Sequence, residues 1–119
     1  VPSAGKAGKY FLKAMKVKSK LTKEIDEAFK KYDLLIAPTV PILPFKIGEK
    51  IDDPVSLFLI DINTVTANLT GKPAISIPFA ISNGLPIGIQ LLASSMNEKL
   101  LLQAAYGLEQ TTTLQEVPI

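Results

Sequence analysis

Apolar residues in the first third of the chain recur at three- and four-residue steps, which is the spacing of an amphipathic helix. The pattern predicts a helix over residues 5–31, with lysines filling most of the positions between the apolar ones. A short apolar run follows at residues 33–37 and ends at Pro38. Because proline cannot continue a strand ladder, this run predicts a buried strand that stops there.

Residues 38–54 predict a loop. Pro38, Pro41 and Pro44 recur every three residues, which favours an extended left-handed backbone. Such a PxxP spacing can serve as a ligand for a recognition domain, but a stiff connection leaving the strand is the preferred interpretation. We expect Pro41 and Pro44 to shape the rim of a nearby pocket.

A second helix is predicted to begin at the end of this loop. Asp53 suits an N-cap and Pro54 suits the first helical position. The helix is predicted to run to about residue 69, with Gly71 as the residue past its C-terminus. Asp52 and Asp53 could also form a pair of catalytic carboxylates, but helix capping is the preferred interpretation of Asp53.

Residues 73–92 predict a β-hairpin, because apolar residues alternate along both halves. Between them the run SNG at residues 82–84 predicts a tight turn, since Asn83 and Gly84 both accept a positive φ. The strands carry few charges, so both faces of the hairpin are predicted to be covered within a larger sheet. After the hairpin, Asn97 is predicted to cap a final helix with one apolar face.

This order of elements predicts an α/β fold in which helices cover a mixed sheet of three strands. Three strands are few for a sheet buried on both faces, so the chain is expected to need more sheet than it contains. The first residue is Val1 rather than Met, which favours a piece of a longer protein. Self-association of the chain is another way of covering its apolar faces.

The amino-acid composition excludes several classes of mechanism and binding site. Hydrophobic residues make up 47% of the chain and charged residues 20%, as in a folded domain rather than a disordered one. Cys and His are absent, which rules out a Ser-His-Asp or Cys-His mechanism, disulfides and a Cys-based metal site contained in this chain. No apolar run is long enough to span a bilayer, and no signal peptide is visible.

Charge is distributed unevenly. Residues 1–31 hold nine lysines and three acids, whereas the rest holds four lysines and eight acids. A basic helix can bind RNA or an anionic surface, so a non-catalytic interaction module is one alternative function. However, the chain has no Arg, the residue preferred for phosphate and base contacts, so a solvated helix face is the preferred interpretation.

Asp61 is the main candidate site residue, because it interrupts an apolar stretch over residues 55–69. A buried carboxylate must be offset by a cation, hydrogen-bond donors or a ligand. On a continuous helix, Asp61, Thr64 and Asn68 would form a polar stripe beginning near Leu57. We interpret the stripe as one wall of a pocket for a positively charged group. A structural pairing of Asp61 with a lysine or backbone donors is an equally good alternative from the residues alone.

Three segments resemble signature motifs of the amidase signature family, in the family's order and near its spacing. They are DLLIAPT at residues 33–39, TANLTGKPAISIP at 66–78 and SNGLPIGIQ at 82–90. The intervening segments are similar to one branch of that family, the A subunits of the glutamyl-tRNA(Gln) amidotransferases. They are FKIGE at residues 45–49, DDP at 52–54 and SLFLID at 56–61. Another amide hydrolase of the same family remains an alternative.

The resemblance implies a fold and an activity. It implies an α/β/α layered fold, of which residues 1–119 are a single partial domain from the C-terminal part. It implies a cytoplasmic or organellar parent enzyme that cleaves amides with a Ser–cis-Ser–Lys triad. In the amidotransferase, the A subunit hydrolyses glutamine and the ammonia reaches the B subunit, which amidates Glu-tRNA(Gln) with ATP and magnesium. The C subunit braces the other two.

The resemblance also implies which site residue this chain holds. Asp61 matches the family's glutamine-binding carboxylate, which holds the substrate's α-ammonium group. The segments with the two catalytic serines and the catalytic lysine are absent, and an Arg that would bind the α-carboxylate is expected before Val1. Ser76 has no visible base, which favours a small packed residue over a nucleophile. We therefore predict Asp61 as the substrate-binding residue, no catalytic, cofactor or metal residue, and no activity from this chain alone.

Overall fold

The computed structural model describes residues 4–49 and 53–112. The described elements follow the predicted order, except that two helices stand where one was predicted. They are α1 (Ala4–Ala28), β1 (Leu34–Pro38), α2 (Pro54–Ile60), α3 (Val65–Thr70), β2 (Ala74–Ser82), β3 (Leu85–Ala93) and α4 (Glu98–Thr111). α1 ends at Ala28 rather than near residue 31, because the amide of Lys31 bonds back only three residues to the Ala28 carbonyl, which closes a turn.

The three described strands form one sheet in the order β1-β3-β2. β3 pairs antiparallel with both neighbours, so the described strands form an antiparallel sheet and include no parallel pair of the predicted mixed sheet. β1 and β2 run in the same direction, but β3 lies between them. The predicted hairpin is confirmed: Asn83 and Gly84 have φ values of 52° and 74°, as a tight hairpin turn requires. The register shifts between Pro78 and Ala80, which leaves Phe79 in a bulge.

α4 covers one face of the sheet. Its buried residues Leu101 and Ala105 are four positions apart and pack against the strands, forming one cluster. The strand members of that cluster are Ile77, Leu91 and Ala93. Asn97 stands at the N-cap position as predicted, but its side chain does not cap the helix: its Nδ2 lies 3.4 Å from the Ser94 hydroxyl instead. The φ of −110° and ψ of 37° at Asn97 depart from the usual extended cap conformation.

The opposite face carries α3, and α1 packs against α3. The Gln90 side chain of β3 bonds to the backbone at Asn63, just before α3, and Lys72, just after α3, bonds to Asp26 of α1. Helices therefore lie on both sides of the sheet, in the layered α/β arrangement predicted from the sequence.

Coverage of the hairpin is incomplete in the described part of the chain. Phe79 and Ile81 of the hairpin are exposed by 40% and 42%, and Ile36 of the neighbouring strand β1 by 59%. This exposure agrees with the expectation that the chain needs more sheet than it contains, and coverage of both faces within a larger sheet stays a prediction. The physical reason for the exposure is the reach of α4, whose cluster includes Ile77 and Leu91 but not the residues near the hairpin turn.

The predicted single helix over residues 54–69 is also wrong. It divides into α2 and α3, separated by a turn at residues 61–64. Within the turn the Thr64 amide and hydroxyl both donate to the Asp61 carbonyl at 3.1 Å. Short polar side chains that bond the local backbone compete with helix continuation, which explains the break.

The predicted ends of this helical region are confirmed. The Asp53 carboxylate accepts from the amides of Val55 and Ser56 at 3.1 and 3.2 Å, with Pro54 at the first helical position. Gly71 has a φ of 67° and closes α3 in the left-handed conformation. Asp52, the other carboxylate considered with Asp53, lies outside the described residues.

Candidate functional site

Asp61 follows the last residue of α2, in the turn before α3. Its φ of −92° and ψ of −2° are those of a helix end, and the residue is exposed. The premise that Asp61 is buried on an apolar helix is therefore wrong for the described part of the chain, because the helix ends at Ile60. The ion pairs found among the described residues join Lys20 to Glu24, Lys30 to Glu27 and Lys72 to Asp26. None of these pairs uses Asp61, so the alternative in which a lysine neutralises it is not observed there.

The predicted polar stripe is also broken by the turn. The Thr64 hydroxyl donates to the Asp61 carbonyl at 3.1 Å, and the Asn68 amide donates to the Thr64 carbonyl at 3.3 Å. Thr64 and Asn68 thus use their polar groups on the local backbone, which is a structural role. Asp61 is the only one of the three that offers a charged group to a ligand.

Two residues that the sequence did not reveal hold the Asp61 turn on the sheet. The Asn63 side chain donates through Nδ2 to the Pro38 carbonyl at 2.9 Å, at the end of β1. The Gln90 side chain donates through Nε2 to the Asn63 carbonyl, also at 2.9 Å. The signal for Gln90 was a single amide in the otherwise apolar second strand of the hairpin, where a buried polar group needs a partner.

A groove of about 550 Å³ lies beside this turn, between the proline-rich loop and the hairpin. The lining comes from residues 38–45, Ile60, Ser76 and residues 86–88. Pro41 and Pro44 belong to this lining, in agreement with the rim predicted for them. Ile60 lines the groove, and Asp61 follows it directly in the chain. The volume lies within the range of small-molecule sites.

The polar group of the groove is a pair of hydroxyls. Thr39 Oγ1 and Ser76 Oγ lie 2.5 Å apart, and a Cβ on Gly88 would come within 3.1 Å of each oxygen. Glycine at position 88 therefore leaves room for the pair. Ser76 is exposed rather than packed, so that part of the prediction is wrong. Its hydroxyl partner is another hydroxyl rather than a base, which does not activate a nucleophile.

A buried lysine is the second feature that the sequence did not reveal. The Lys72 side chain is only 6% exposed, and its Nζ lies 2.5 Å from Asp26 Oδ1 and 2.9 Å from Ser95 Oγ. These contacts join α1, the segment after α3 and the segment before α4. The burial and partners of Lys72 are those of a structural ion pair.

Residues 4–49 and 53–112 contain no group of three or more His, Cys, Asp or Glu side chains that could hold a metal ion. None of the described helices combines the length and the apolar character that crossing a membrane requires.

The fold and the motifs define a class of protein. The sequence model of the amidase family matches residues 1–102, so the chain belongs to the amidase family. This confirms the family resemblance predicted from the motifs.

Two relatives and a solved structure show which members of the family this chain is similar to. The chain is 53% identical over 118 residues to the glutamyl-tRNA(Gln) amidotransferase A subunit of Cenarchaeum symbiosum, covering 99% of this chain and 25% of that protein. It is 50% identical over 110 residues to the same subunit of Methanosarcina mazei, covering 92% and 23%. The crystal structure of this subunit from Thermotoga maritima superposes with a TM-score of 0.87 at 42% identity, covering 97% of this chain and 25% of that chain. The chain thus spans about a quarter of the length of the curated relatives that it matches.

Proposed function

We propose that this chain is part of the glutaminase subunit, the A subunit, of a glutamyl-tRNA(Gln) amidotransferase. The whole subunit would hydrolyse glutamine and supply ammonia for converting Glu-tRNA(Gln) to Gln-tRNA(Gln). The observation that carries the proposal is the 53% identity to one such subunit over 118 of the 119 residues. The superposition on a crystal structure of the same kind of subunit supports it.

Within that subunit, this chain would supply scaffold and one wall of the substrate pocket. Asp61 would bind the α-ammonium group of glutamine through a charge-assisted hydrogen bond. Two features support this role: the carboxylate is exposed, and no described lysine pairs with it. Ile60, the neighbouring residue, lines the groove in which a small substrate would fit.

The catalytic groups would come from outside this chain. The described hydroxyls near the groove, Thr39 and Ser76, bond each other at 2.5 Å rather than a lysine. We therefore propose that the Ser–cis-Ser–Lys triad lies in the longer protein and that this chain alone is inactive. The B and C subunits would be its partners in the cytoplasm, and ATP and magnesium would serve the complex rather than this chain.

Substrate choice tests this proposal. The full-length protein, assembled with its partner subunits, should release ammonia from glutamine with a higher kcat/KM than from asparagine or from simple aliphatic amides. Comparable kcat/KM values across the series would instead favour a general amide hydrolase of the same family.

A further inference from the structure

The turn that carries Asp61 is fastened to the sheet at two points through a single residue. Asn63 donates from its side chain to the Pro38 carbonyl and accepts at its own carbonyl from the Gln90 side chain, both at 2.9 Å. Pro38 ends β1 and Gln90 lies on the central strand β3. The turn is thus tied to two different strands.

The buried position of Gln90 indicates that its side chain has a structural role in holding the Asp61 turn. It lies between Ile89 and Leu91 on the central strand, and only 9% of it is exposed. An apolar side chain would pack at such a site without a hydrogen-bond requirement, whereas a buried amide is costly unless it is bonded. The amide of Gln90 finds its described partner in the Asp61 turn, so the side chain ties that turn to the core.

The turn needs such ties because its own contacts are local. The Asp61 carbonyl accepts from the amides of Thr64 and Val65 at 3.1 and 3.0 Å, which closes the turn but does not locate it on the sheet. Asn63 is two residues beyond Asp61. A displacement of the turn would therefore move the Asp61 carboxylate with it.

We infer that Asn63 and Gln90 are positioning residues that hold the Asp61 carboxylate where the α-ammonium group of the substrate binds. The inference rests on the proposed function of Asp61. A charge-assisted hydrogen bond depends on distance and direction, so a carboxylate displaced by about 1 Å loses much of its discrimination for an ammonium group.

The test uses the full-length protein with two substrates. One is glutamine, and the other is 4-carbamoylbutanoate, which has the same amide and carboxylate but lacks the α-amino group. The measured quantity is the ratio of their kcat/KM values. A variant that merely lowers the amount of folded enzyme reduces both values equally and leaves the ratio unchanged.

Gln90→Leu and Asn63→Ala are each expected to lower this ratio about 3- to 10-fold, the effect of one lost hydrogen bond. Asn68→Ala is the matched control, because the partner of the Asn68 amide among the described residues is the Thr64 carbonyl, which lies in the same helical region. Its ratio should equal that of the unmodified protein. Asn63 is half-buried, so Asn63→Ala provides the test if Gln90→Leu does not fold.

Asp61→Asn distinguishes the positioning role of Asn63 and Gln90 from the proposed ammonium-binding role of Asp61. If this variant lowers the ratio but Asn63→Ala and Gln90→Leu leave it unchanged, the positioning role is overturned and the proposed function stands. If Asp61→Asn leaves the ratio unchanged, the ammonium-binding role itself is overturned.

Discussion

The Nζ atom of Lys72 lies 2.5 Å from Oδ1 of Asp26, although the two residues are 46 positions apart in the chain. The two partners differ in burial, since the Lys72 side chain is 6% exposed and that of Asp26 is 51% exposed. Water can therefore hydrate the carboxylate if the lysine is removed, whereas removal of the aspartate leaves the ammonium group on a largely buried side chain with less access to water. The cost of breaking the pair should depend on which partner is replaced.

Asp26→Asn should destabilise the protein more than Lys72→Met. We expect about 1–3 kcal/mol for Asp26→Asn, less than for a fully buried pair because Asp26 is half exposed, and a smaller loss for Lys72→Met. The free energy of unfolding in urea, measured for both variants in the same protein, gives the comparison. Equal losses of the free energy of unfolding would show that the cost of breaking the pair does not depend on the burial of the partner that is left.

In the longer protein proposed above, Asp61→Asn should raise the KM for glutamine about tenfold or more, because the charge opposite the α-ammonium is removed. kcat should change less, since the proposed role of Asp61 is to bind the α-ammonium group and not the amide that is cleaved. Steady-state kinetics measures both values, and Glu109→Gln on α4 serves as a charge-matched control. A KM within about twofold of the unmodified protein would contradict the binding role.

Asp53 should make the stability of α2 depend on pH. The Ser56 hydroxyl, which donates at 2.8 Å, and the Val55 amide hold the pKa of the Asp53 carboxyl below its usual value of 3.8. Because the pKa is lowered in the folded state, the stabilisation is fully present above about pH 3.8 and is lost as the pH falls through the folded-state pKa. Asp53→Ala should therefore be less stable at pH 7, and the difference should shrink at lower pH. Urea denaturation of both proteins at several pH values measures it.

Gly88→Ala should destabilise the protein by about 1–3 kcal/mol, because the new methyl group would crowd the hydroxyls of Thr39 and Ser76 at 3.1 Å. Removing one hydroxyl should relieve part of the strain. The double variant Gly88→Ala, Ser76→Ala should therefore lose less free energy of unfolding than the two single variants lose together. Additive losses in urea denaturation would indicate that the methyl group clashes elsewhere.

Leu101→Ala should cost about 2–5 kcal/mol, because Leu101 is 4% exposed and packs in the cluster between α4 and the sheet. Leu102 is the matched control, since it is the adjacent leucine on the same helix and is 59% exposed. Leu102→Ala should change the free energy of unfolding by about 0.5 kcal/mol or less. Similar losses for both variants would mean that α4 does not dock as described.

Local signals in the sequence predicted the hairpin and the cap at Asp53 correctly, although the side chain of Asn97 does not cap α4 as predicted. The turn at Asn83 and Gly84 and the cap at Asp53 are each decided by a few adjacent residues, whose backbone requirements can be recognised without knowledge of the fold. The family was predicted for a similar reason, because its motifs are short runs of consecutive residues.

The division of the middle helix could not be predicted, because no Pro or Gly marks a break at residues 61–64 and Phe58, Ile62 and Val65 keep the helical spacing of apolar residues. The position of that turn depends on Asn63 and Gln90, which meet only after the sheet has formed. The same is true of Lys72 and Asp26. Asp61 stands out in the sequence because it interrupts an apolar run, but its exposure follows from where α2 ends, which the run does not encode.

The central position of β3 has a consequence for how the molecule is made on the ribosome. β1 pairs only with β3 among the described strands, and residues 39–84 are synthesised between the two. Among the described strands, β1 therefore gains its hydrogen-bonding partner only after β2 and β3 have been synthesised, and an unpaired strand edge is open to aggregation in the meantime. Synthesis of β3 is thus the step that pairs β1 within the described part of the sheet.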